Sequence, residues 1–318
     1  MAFETSTFSS PSNLLSKLNT FLTANGWTSN TGGTGGNPSS SQYSFNDGAG
    51  GHFHLVPRDD LGEIHGQPAT AYVNSSTNFY AHTGTPSSAG TDGTFPKMGG
   101  LPTSGTNTYY FFAPNAAPRY AHVVARFTSG EYAHMAFGTC RKYGSYTGGQ
   151  YFAAQSWRAT NIASQFMFED DLISTWSAQW ARCDGAFGLA TPTWTERIGF
   201  AFGWTGQSNP HKSFSALLHA FGLIELTQRT PLSPNFLKVV SSTPNFIFIG
   251  DTPDLKLISM QGRNPDGETI TIGSDTWYLF PARRMGATPS TGTDAYTISG
   301  VQPNHVTNQA GYAYKRID

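Results

Sequence analysis

The chain has 318 residues, of which only 12% are charged, about half the share found in an average soluble protein. The formal net charge is −1, and the sequence lacks the basic stripe typical of nucleic-acid binders. No apolar run approaches the roughly 20 residues that a membrane-spanning helix needs, and the N-terminus does not look like a secretory signal. We therefore expect neither a nucleic-acid partner nor a membrane partner.

The composition favours a folded chain that is rich in strands and works in an assembly. Aromatic residues make up 14% of the chain, and 35 glycines with 19 prolines disfavour long helices. A surface with so little charge resists association poorly, which favours a subunit of a larger assembly. The cysteines, Cys140 and Cys183, are too far apart to form a metal-binding pair, so we expect folding in a reducing cytosol.

The chain opens with an amphipathic helix. Its apolar residues recur with helical spacing at Leu14, Leu15, Leu18, Phe21 and Leu22. Ser12 is the predicted cap, and Asn25-Gly26 ends the helix. A loop rich in Gly and Ser follows, so residues 1–50 are predicted as helix and loop. We expect residues 51–318 to form a single β-rich body, with a possible subdivision near residues 160–210.

Histidines lie on the first predicted strand of this body, His52–Val56. His52 and His54 share one face of the strand, and His65 follows a short distance later. Imidazole suits divalent metals, so these three residues are candidate metal ligands. The alternative is that the strand histidines alternate with core aromatics at a wet edge of the sheet.

A hairpin is predicted from Arg119–Phe127 and Glu131–Gly138, around a three-residue loop that ends in glycine. This pairing sets Val123 against Met135 on a face that should meet the core. The other face is amphipathic, which suits a half-wet surface or an interface between subunits. The candidate interface residues are Tyr120, His122, Val124, Tyr132 and His134.

The middle of the chain offers candidate chemistry without a catalytic motif. No nucleophile elbow is present, and neither cysteine has a recognisable catalytic context. The acidic run Glu169-Asp170-Asp171 would suit a hydrolase, but it also suits a helix N-terminus. Trp157, Trp176 and Trp180 are candidates for stacking on carbohydrate, or else belong to a core or interface. We predict no enzyme, no catalytic residues and no cofactor.

A second hairpin is predicted from Glu268–Ile272 and Asp275–Phe280, and it turns through Gly273-Ser274. It pairs Ile270 with Trp277 and Thr271 with Thr276. About a dozen strands are predicted in all, together with long polar loops such as Thr83–Thr108. The expected fold class is therefore mainly β, a β-rich α+β fold with antiparallel sheets or a sandwich and one N-terminal amphipathic helix.

Both hairpin regions resemble segments of virion structural proteins of tailed bacteriophages. The first is RYAHVVARFTSGEYAHMAFGTCRKYGSYTGGQY at Arg119–Tyr151, with the pattern "HVV", then "H-x-x-FG", then "K-x-G-x-x-x-GG". The second is DGETITIGSDTWYLFPARR at Asp266–Arg284, where an "I-x-I-G" hairpin leads into "LFP". The opening helix with Asn25-Gly26-Trp27 is also similar to the start of these proteins.

The resemblance implies a particle component that is assembled in the host cytoplasm and located in the virion. Its expected partners are other virion proteins and copies of itself, and it implies no catalytic residues. The leading expectation is an oligomeric tail, neck or baseplate subunit that braces its neighbours. The alternatives are a capsid decoration protein and an attachment module that binds carbohydrate on the host surface.

Overall fold

The computed structural model describes residues 1–31, 42–48, 52–69, 71–74, 82, 97–127, 132–143, 151–155, 181–183, 196–200, 233–242, 245–259, 268–281 and 310–316. Across these residues the fold is mainly β, with three antiparallel sheets and one N-terminal helix, which confirms the predicted fold class.

The elements follow one another along the chain, with the helix coming after the first strand. They are β1 (Ala2–Phe8), α1 (Pro11–Ala24), β2 (Thr28–Thr31), β3 (Tyr43–Asn46), β4 (His52–Arg58), β5 (Glu63–Ala69), β6 (Lys97–Met98), β7 (Asn107–Ala113), β8 (Tyr120–Arg126), β9 (Tyr132–Thr139), β10 (Arg141–Lys142), β11 (Tyr151–Gln155), β12 (Ala181–Cys183), β13 (Glu196–Phe200), β14 (Ser233–Ser242), β15 (Asn245–Ser259), β16 (Thr269–Ile272), β17 (Asp275–Pro281) and β18 (Ala310–Arg316).

The described strands form three sheets, which we call the first, second and third sheets. The first sheet has the order β1-β7-β8-β9-β11-β12-β13. Because β13 also pairs with β14, the second sheet continues from it as β13-β14-β15-β18-β17-β16, with β10 paired to β15. The third sheet has the order β2-β3-β4-β5-β6. The sequence boundary drawn near residue 50 falls between β3 and β4, which are neighbours in the third sheet.

The N-cap of helix α1 lies two residues earlier than the sequence suggests. The cap is Ser10 rather than Ser12: the Ser10 side chain accepts a hydrogen bond from the Asn13 N–H at 3.2 Å. Pro11 occupies the first helical position, where its missing N–H costs nothing. The backbone N–H of Ser12 instead donates to Asp59 Oδ1 at 2.8 Å, which ties the helix to the β4–β5 turn. The predicted apolar face is confirmed, since all five of its residues are buried.

One face of the first sheet packs against α1 and the third sheet. Phe137 on β9 lies at the centre of this contact, with ring centroids 5.3 Å from Phe53 and 5.7 Å from Trp27. Alongside it, Phe21 of the helix meets Phe111 of β7 at 5.5 Å. These aromatic contacts form the larger core of the described chain.

The opposite face of the first sheet is covered by β17 and β18. Phe112 on β7 stacks on Tyr314 at 5.0 Å, and Tyr110 meets Phe280 at 4.8 Å. Strands β8 and β9 therefore lie in a middle layer that is covered on both faces. This explains why every residue of β9 is buried, and every residue of β8 except the last.

The two predicted hairpins are confirmed in position and in register. Val123 pairs with Met135 in the first, and Ile270 pairs with Trp277 in the second. The first strand of the chain, β1, was not predicted, because its middle is polar and exposed and the described strand that pairs with it, β7, is about 100 residues away. The sequence also predicts a strand at Thr70–Val73. Of its described residues, 71–73, Ala71 makes a single bridge and the other two are not in a strand. Most of the predicted subdivision near residues 160–210 lies outside the described residues.

Candidate functional site

The face of the β8–β9 hairpin that the sequence predicts as an interface lies inside the chain. Tyr120, His122, Val124 and His134 have 0% of their surface exposed, and Tyr132 has 3%. Strands β17 and β18 cover this face through Phe280, Tyr312 and Tyr314. The expectation of a half-wet interface is therefore wrong. The amphipathic side chains find their polar partners in a layer formed by residues more than 100 positions further along the chain.

His134 is held between the two layers by a hydrogen bond on each ring nitrogen. Its Nε2 lies 2.9 Å from the Pro281 carbonyl, which can only accept, so Nε2 donates. Burial lowers the pKa of His134 to about 4, so the imidazole is neutral and its Nδ1 keeps a lone pair. The Tyr314 hydroxyl lies 2.8 Å from Nδ1 and therefore donates to it.

His122 occupies the same layer, but it is packed differently. Its ring centroid lies 5.1 Å from those of Tyr120 and Tyr314, at steep angles to both rings. Neither ring nitrogen has a hydrogen-bond partner among the described residues. Burial, with a smaller contribution from His134, lowers the pKa of His122 to about 3. His122 is thus a neutral aromatic group in this layer.

The two patterned segments, Arg119–Tyr151 and Asp266–Arg284, contact each other directly. The "H-x-x-FG" pattern of the first supplies His134, Phe137 and Gly138, and the "LFP" of the second ends in Pro281. The hydrogen bond from His134 to the Pro281 carbonyl joins the two patterns. Phe137 fills the larger core, and Gly138 lies so close to β8 that an added Cβ would be 2.4 Å from the Tyr120 Cα. His134, Phe137 and Gly138 therefore each have a packing role in the middle layer.

Acidic residues of β15 connect that strand to β8 of the first sheet and to β10 of the second sheet. The Tyr120 hydroxyl donates to Asp254. Asp251 is buried and accepts from Arg141 Nε at 2.8 Å, from Arg141 Nη2 at 2.5 Å and from the Tyr143 hydroxyl at 2.6 Å. Three donors of this kind satisfy a carboxylate, which makes Asp251 a structural anchor and not a reactive acid.

The predicted metal-ligating histidines lie on the outer face of the third sheet, away from the larger core. His54 and His65 are buried there, while the intervening residues Phe53 and Leu55 face the core. His65 Nε2 is 2.5 Å from Glu63 Oε2, and His52 Nε2 is 3.0 Å from the Asn46 amide nitrogen. In the part of the chain that the structure describes, no group of three or more His, Cys, Asp or Glu side chains could hold a metal ion. His52, His54 and His65 therefore do not form a ligand set.

Sequence reasoning missed His82, which also lies on this outer face. Its ring stacks on His54 with centroids 3.8 Å apart and an angle of 12° between the planes. Tyr72 extends the stack, with its ring 5.3 Å from His82. His82 Nδ1 accepts a hydrogen bond from the Val73 backbone N–H at 3.1 Å. Only the fold brings His82 next to His54, so no local pattern could have indicated this pair.

Of the remaining candidates, the structure describes Cys140, while the others lie outside the described residues. Cys140 is buried, as its place in the strand-like run after Phe137 predicts. The candidate carbohydrate-binding residues Trp157, Trp176 and Trp180 lie outside the described residues, and so does the acidic run Glu169-Asp170-Asp171.

Among the second-sheet side chains that the structure describes, an exposed large apolar residue is found on the terminal strand, β16. Ile272 is 48% exposed, and Thr269 and Thr271 are exposed as well. Among the described strands, only β17 pairs with β16. This strand therefore presents an uncharged edge.

The sequence matches no protein-family model. It also matches no curated protein. The one helix among the described residues, α1, has 14 residues, and no described helix has the length and apolar character to cross a bilayer.

Proposed function

We propose that this chain is a structural subunit of a tailed-phage virion, which assembles into an oligomer of the tail, neck or baseplate and braces neighbouring subunits. The resemblance of two segments to phage virion proteins and the low charge of the chain support this function. The observation that carries the proposal is the uncharged edge of β16, because an edge strand adds a strand from another chain through main-chain hydrogen bonds.

The backbone of β16 has a defined outward side. The Leu279 N–H donates to the Glu268 carbonyl at 3.0 Å, at the open end of the hairpin. Pairs with and without hydrogen bonds alternate along an antiparallel ladder. Glu268, Ile270 and Ile272 therefore bond to β17, and the N–H and C=O groups of Thr269 and Thr271 point to the outer edge.

The side chains of β16 do nothing to discourage pairing at that edge. Natural edge strands are commonly protected by Lys, Pro or a bulge. The strand reads Thr-Ile-Thr-Ile, with a continuous register against β17. Ile270 is half-buried against the apolar cluster of Ile258, Trp277, Leu279 and Ala313. An added strand would extend this cluster outward.

Two substitutions at one position test the proposal. Thr271→Pro removes an outward N–H without removing a hydrogen bond to β17, since Pro is tolerated at an edge. Thr271→Val keeps that N–H and is the matched control. We expect size-exclusion chromatography with light scattering to give an oligomer for the wild type and for Thr271→Val, and a monomer of 34.3 kDa for Thr271→Pro.

The oligomer found also separates the proposed function from its alternatives. A closed ring of about six or twelve copies supports a tail, neck or baseplate subunit, while a trimer favours a decoration protein. A wild-type monomer that binds carbohydrate on a glycan array would contradict the proposal and favour an attachment module. An oligomer that Thr271→Pro leaves intact would contradict the role of β16.

A further inference from the structure

The outer face of the third sheet carries a contact made almost entirely of histidine and tyrosine rings. His54 projects from β4 and is 0% exposed. Tyr72 and His82 come from the chain that follows β5. The His82 ring stacks on His54 with centroids 3.8 Å apart, and Tyr72 lies beside both rings, 5.3 Å from His82 and 6.4 Å from His54. These ring contacts therefore hold Tyr72 and His82 against the sheet.

A single hydrogen bond within this contact depends on the protonation state of His82. The Val73 N–H donates to His82 Nδ1 at 3.1 Å. A backbone N–H can only donate, so Nδ1 must keep its lone pair and the imidazole must be neutral. A proton on Nδ1 would set one N–H against another at hydrogen-bond distance.

The groups that face His82 also oppose a positive charge there. His54 lies against one side of its ring, and His52 is 6.4 Å from His54 on the same strand. Tyr72 lies beside the His82 ring. Asp47 raises the pKa of His52 and so partly offsets the lowering of that pKa by burial. A charged His82 would lose solvation where it packs against the buried imidazole of His54, and His54 offers it no opposite charge.

We infer that Tyr72, Val73 and His82 form an acid-sensitive latch on the outer face of the third sheet, which is docked while His82 is neutral and released when Nδ1 takes up a proton. Protonation breaks the Val73 hydrogen bond and places a cation in the stack at the same time. The latch is independent of the proposed function, because it concerns a contact within one chain.

The direction of the pH dependence follows from the two states of His82. Burial, followed by the effect of His52, lowers the pKa of docked His82 from 6.5 to about 4. The released histidine regains an ordinary pKa and binds more protons than the docked one in mild acid. Docking is therefore fully favourable above pH 6.5 and weakens as the pH falls below it, by about twentyfold between pH 7 and pH 5.

Amide hydrogen exchange of the full chain, resolved to single residues by NMR and corrected for intrinsic rates, tests the latch. We expect the protection of the Val73 amide to fall about twentyfold between pH 7 and pH 5. The Val123 amide in the buried middle layer reports on global unfolding, and its protection should stay well above that of Val73 at both pH values, so that exchange at Val73 measures local release. Unchanged protection at Val73, or a Val73 amide that is protected to the same degree as Val123 at both pH values, would overturn the inference.

Two variants identify the titrating group. His82→Phe keeps a ring for stacking but neither accepts a hydrogen bond nor titrates, so exchange at Val73 should become faster and independent of pH. His65→Gln is the matched control, since His65 is buried on the same face and pairs with Glu63 instead. It should keep the pH dependence of the wild type. A pH dependence that survives in His82→Phe would contradict the latch, and the wild-type measurement stands even if that variant fails to fold.

Discussion

His134 and Tyr314 are separated by 180 positions in the chain, and the Tyr314 hydroxyl donates to His134 Nδ1 across 2.8 Å in the buried space between two sheets. The other nitrogen of His134 donates to the Pro281 carbonyl. One side chain of the middle layer thus secures both strands that cover it. His134 therefore gives β17 and β18 each a polar contact with β9.

The first prediction compares two buried histidines of the same layer. His134→Leu leaves the Pro281 carbonyl and the Tyr314 hydroxyl without this partner, which should lower the free energy of unfolding by about 1–3 kcal/mol for each group. His122→Leu removes ring nitrogens that have no partner among the described residues. It should be close to neutral or stabilising at pH 7.

Urea unfolding of both variants at pH 7 measures the difference. A double-mutant cycle of His134→Leu with Tyr314→Phe should give a coupling energy of about 0.5–3 kcal/mol, because the two side chains are in direct contact. An equal loss of unfolding free energy in His122→Leu and His134→Leu would contradict this prediction, because the two hydrogen bonds of His134 would then contribute nothing to stability.

The second prediction concerns stability in acid. Burial lowers the pKa of His122 to about 3 and that of His134 to about 4, against 6.5 in the unfolded chain. The unfolded state therefore binds more protons below pH 6.5, and the folded state loses stability as the pH falls. The two residues together should cost on the order of 5 kcal/mol between pH 7 and pH 4.

Unfolding free energies measured by urea titration at several pH values between 7 and 4 check this slope. The His122→Leu variant should show a shallower slope than the wild type. A stability that does not change over this range would mean that the two imidazoles are not neutral and buried as described.

The third prediction separates backbone strain from crowding at two glycines. Gly138 and Gly273 both have positive φ, at 140° and 64°. Gly273→Ala meets no atom within 4 Å and should cost about 1–2 kcal/mol through its backbone alone. Gly138→Ala would place its Cβ 2.5 Å from the Arg119 carbonyl oxygen and must displace β8. Thermal unfolding should therefore show a much larger loss for Gly138→Ala, and similar losses would contradict the close approach of β8 and β9.

The fourth prediction concerns Val124, which the sequence placed on an interface. It is fully buried within the single chain, so Val124→Asp introduces a carboxylate into the middle layer. We expect loss of folding, seen as loss of near-ultraviolet circular dichroism, and not a folded subunit that fails to assemble. Val124→Ile, which keeps the apolar character, is the control. A folded Val124→Asp monomer would restore the interface interpretation.

The sequence predicted the local features of the fold well. The spacing of Leu14, Leu18 and Phe21 determined the buried face of α1, and the Gly273-Ser274 turn set the register of the second hairpin. Each of these signals lies within a few residues of what it predicts. Contacts made at long range could not be read in the same way, and β1 is an example, since its only pairing among the described strands is with β7.

The predictions of an interface on β8 and β9 and of a metal site on β4 and β5 were wrong for the same physical reason. The pattern of His122, Tyr132 and His134 shows amphipathic side chains, but it does not show whether water, another subunit or a distant strand satisfies them. Strands β17 and β18 cover these side chains here. The histidines of β4 were correctly placed on one face, yet their stacking partner His82 follows more than 20 residues later and no local pattern links the two.

The most direct test of the assembly claim is amide hydrogen exchange along β16 in the assembled and dissociated protein. In the dissociated chain the outward Thr269 and Thr271 amides should exchange rapidly, while the Ile270 and Ile272 amides are protected by β17. In the assembly we expect all four amides to be protected, because an added strand accepts the two outward hydrogen bonds. Rapid exchange of the Thr269 and Thr271 amides in the assembled protein would contradict the account.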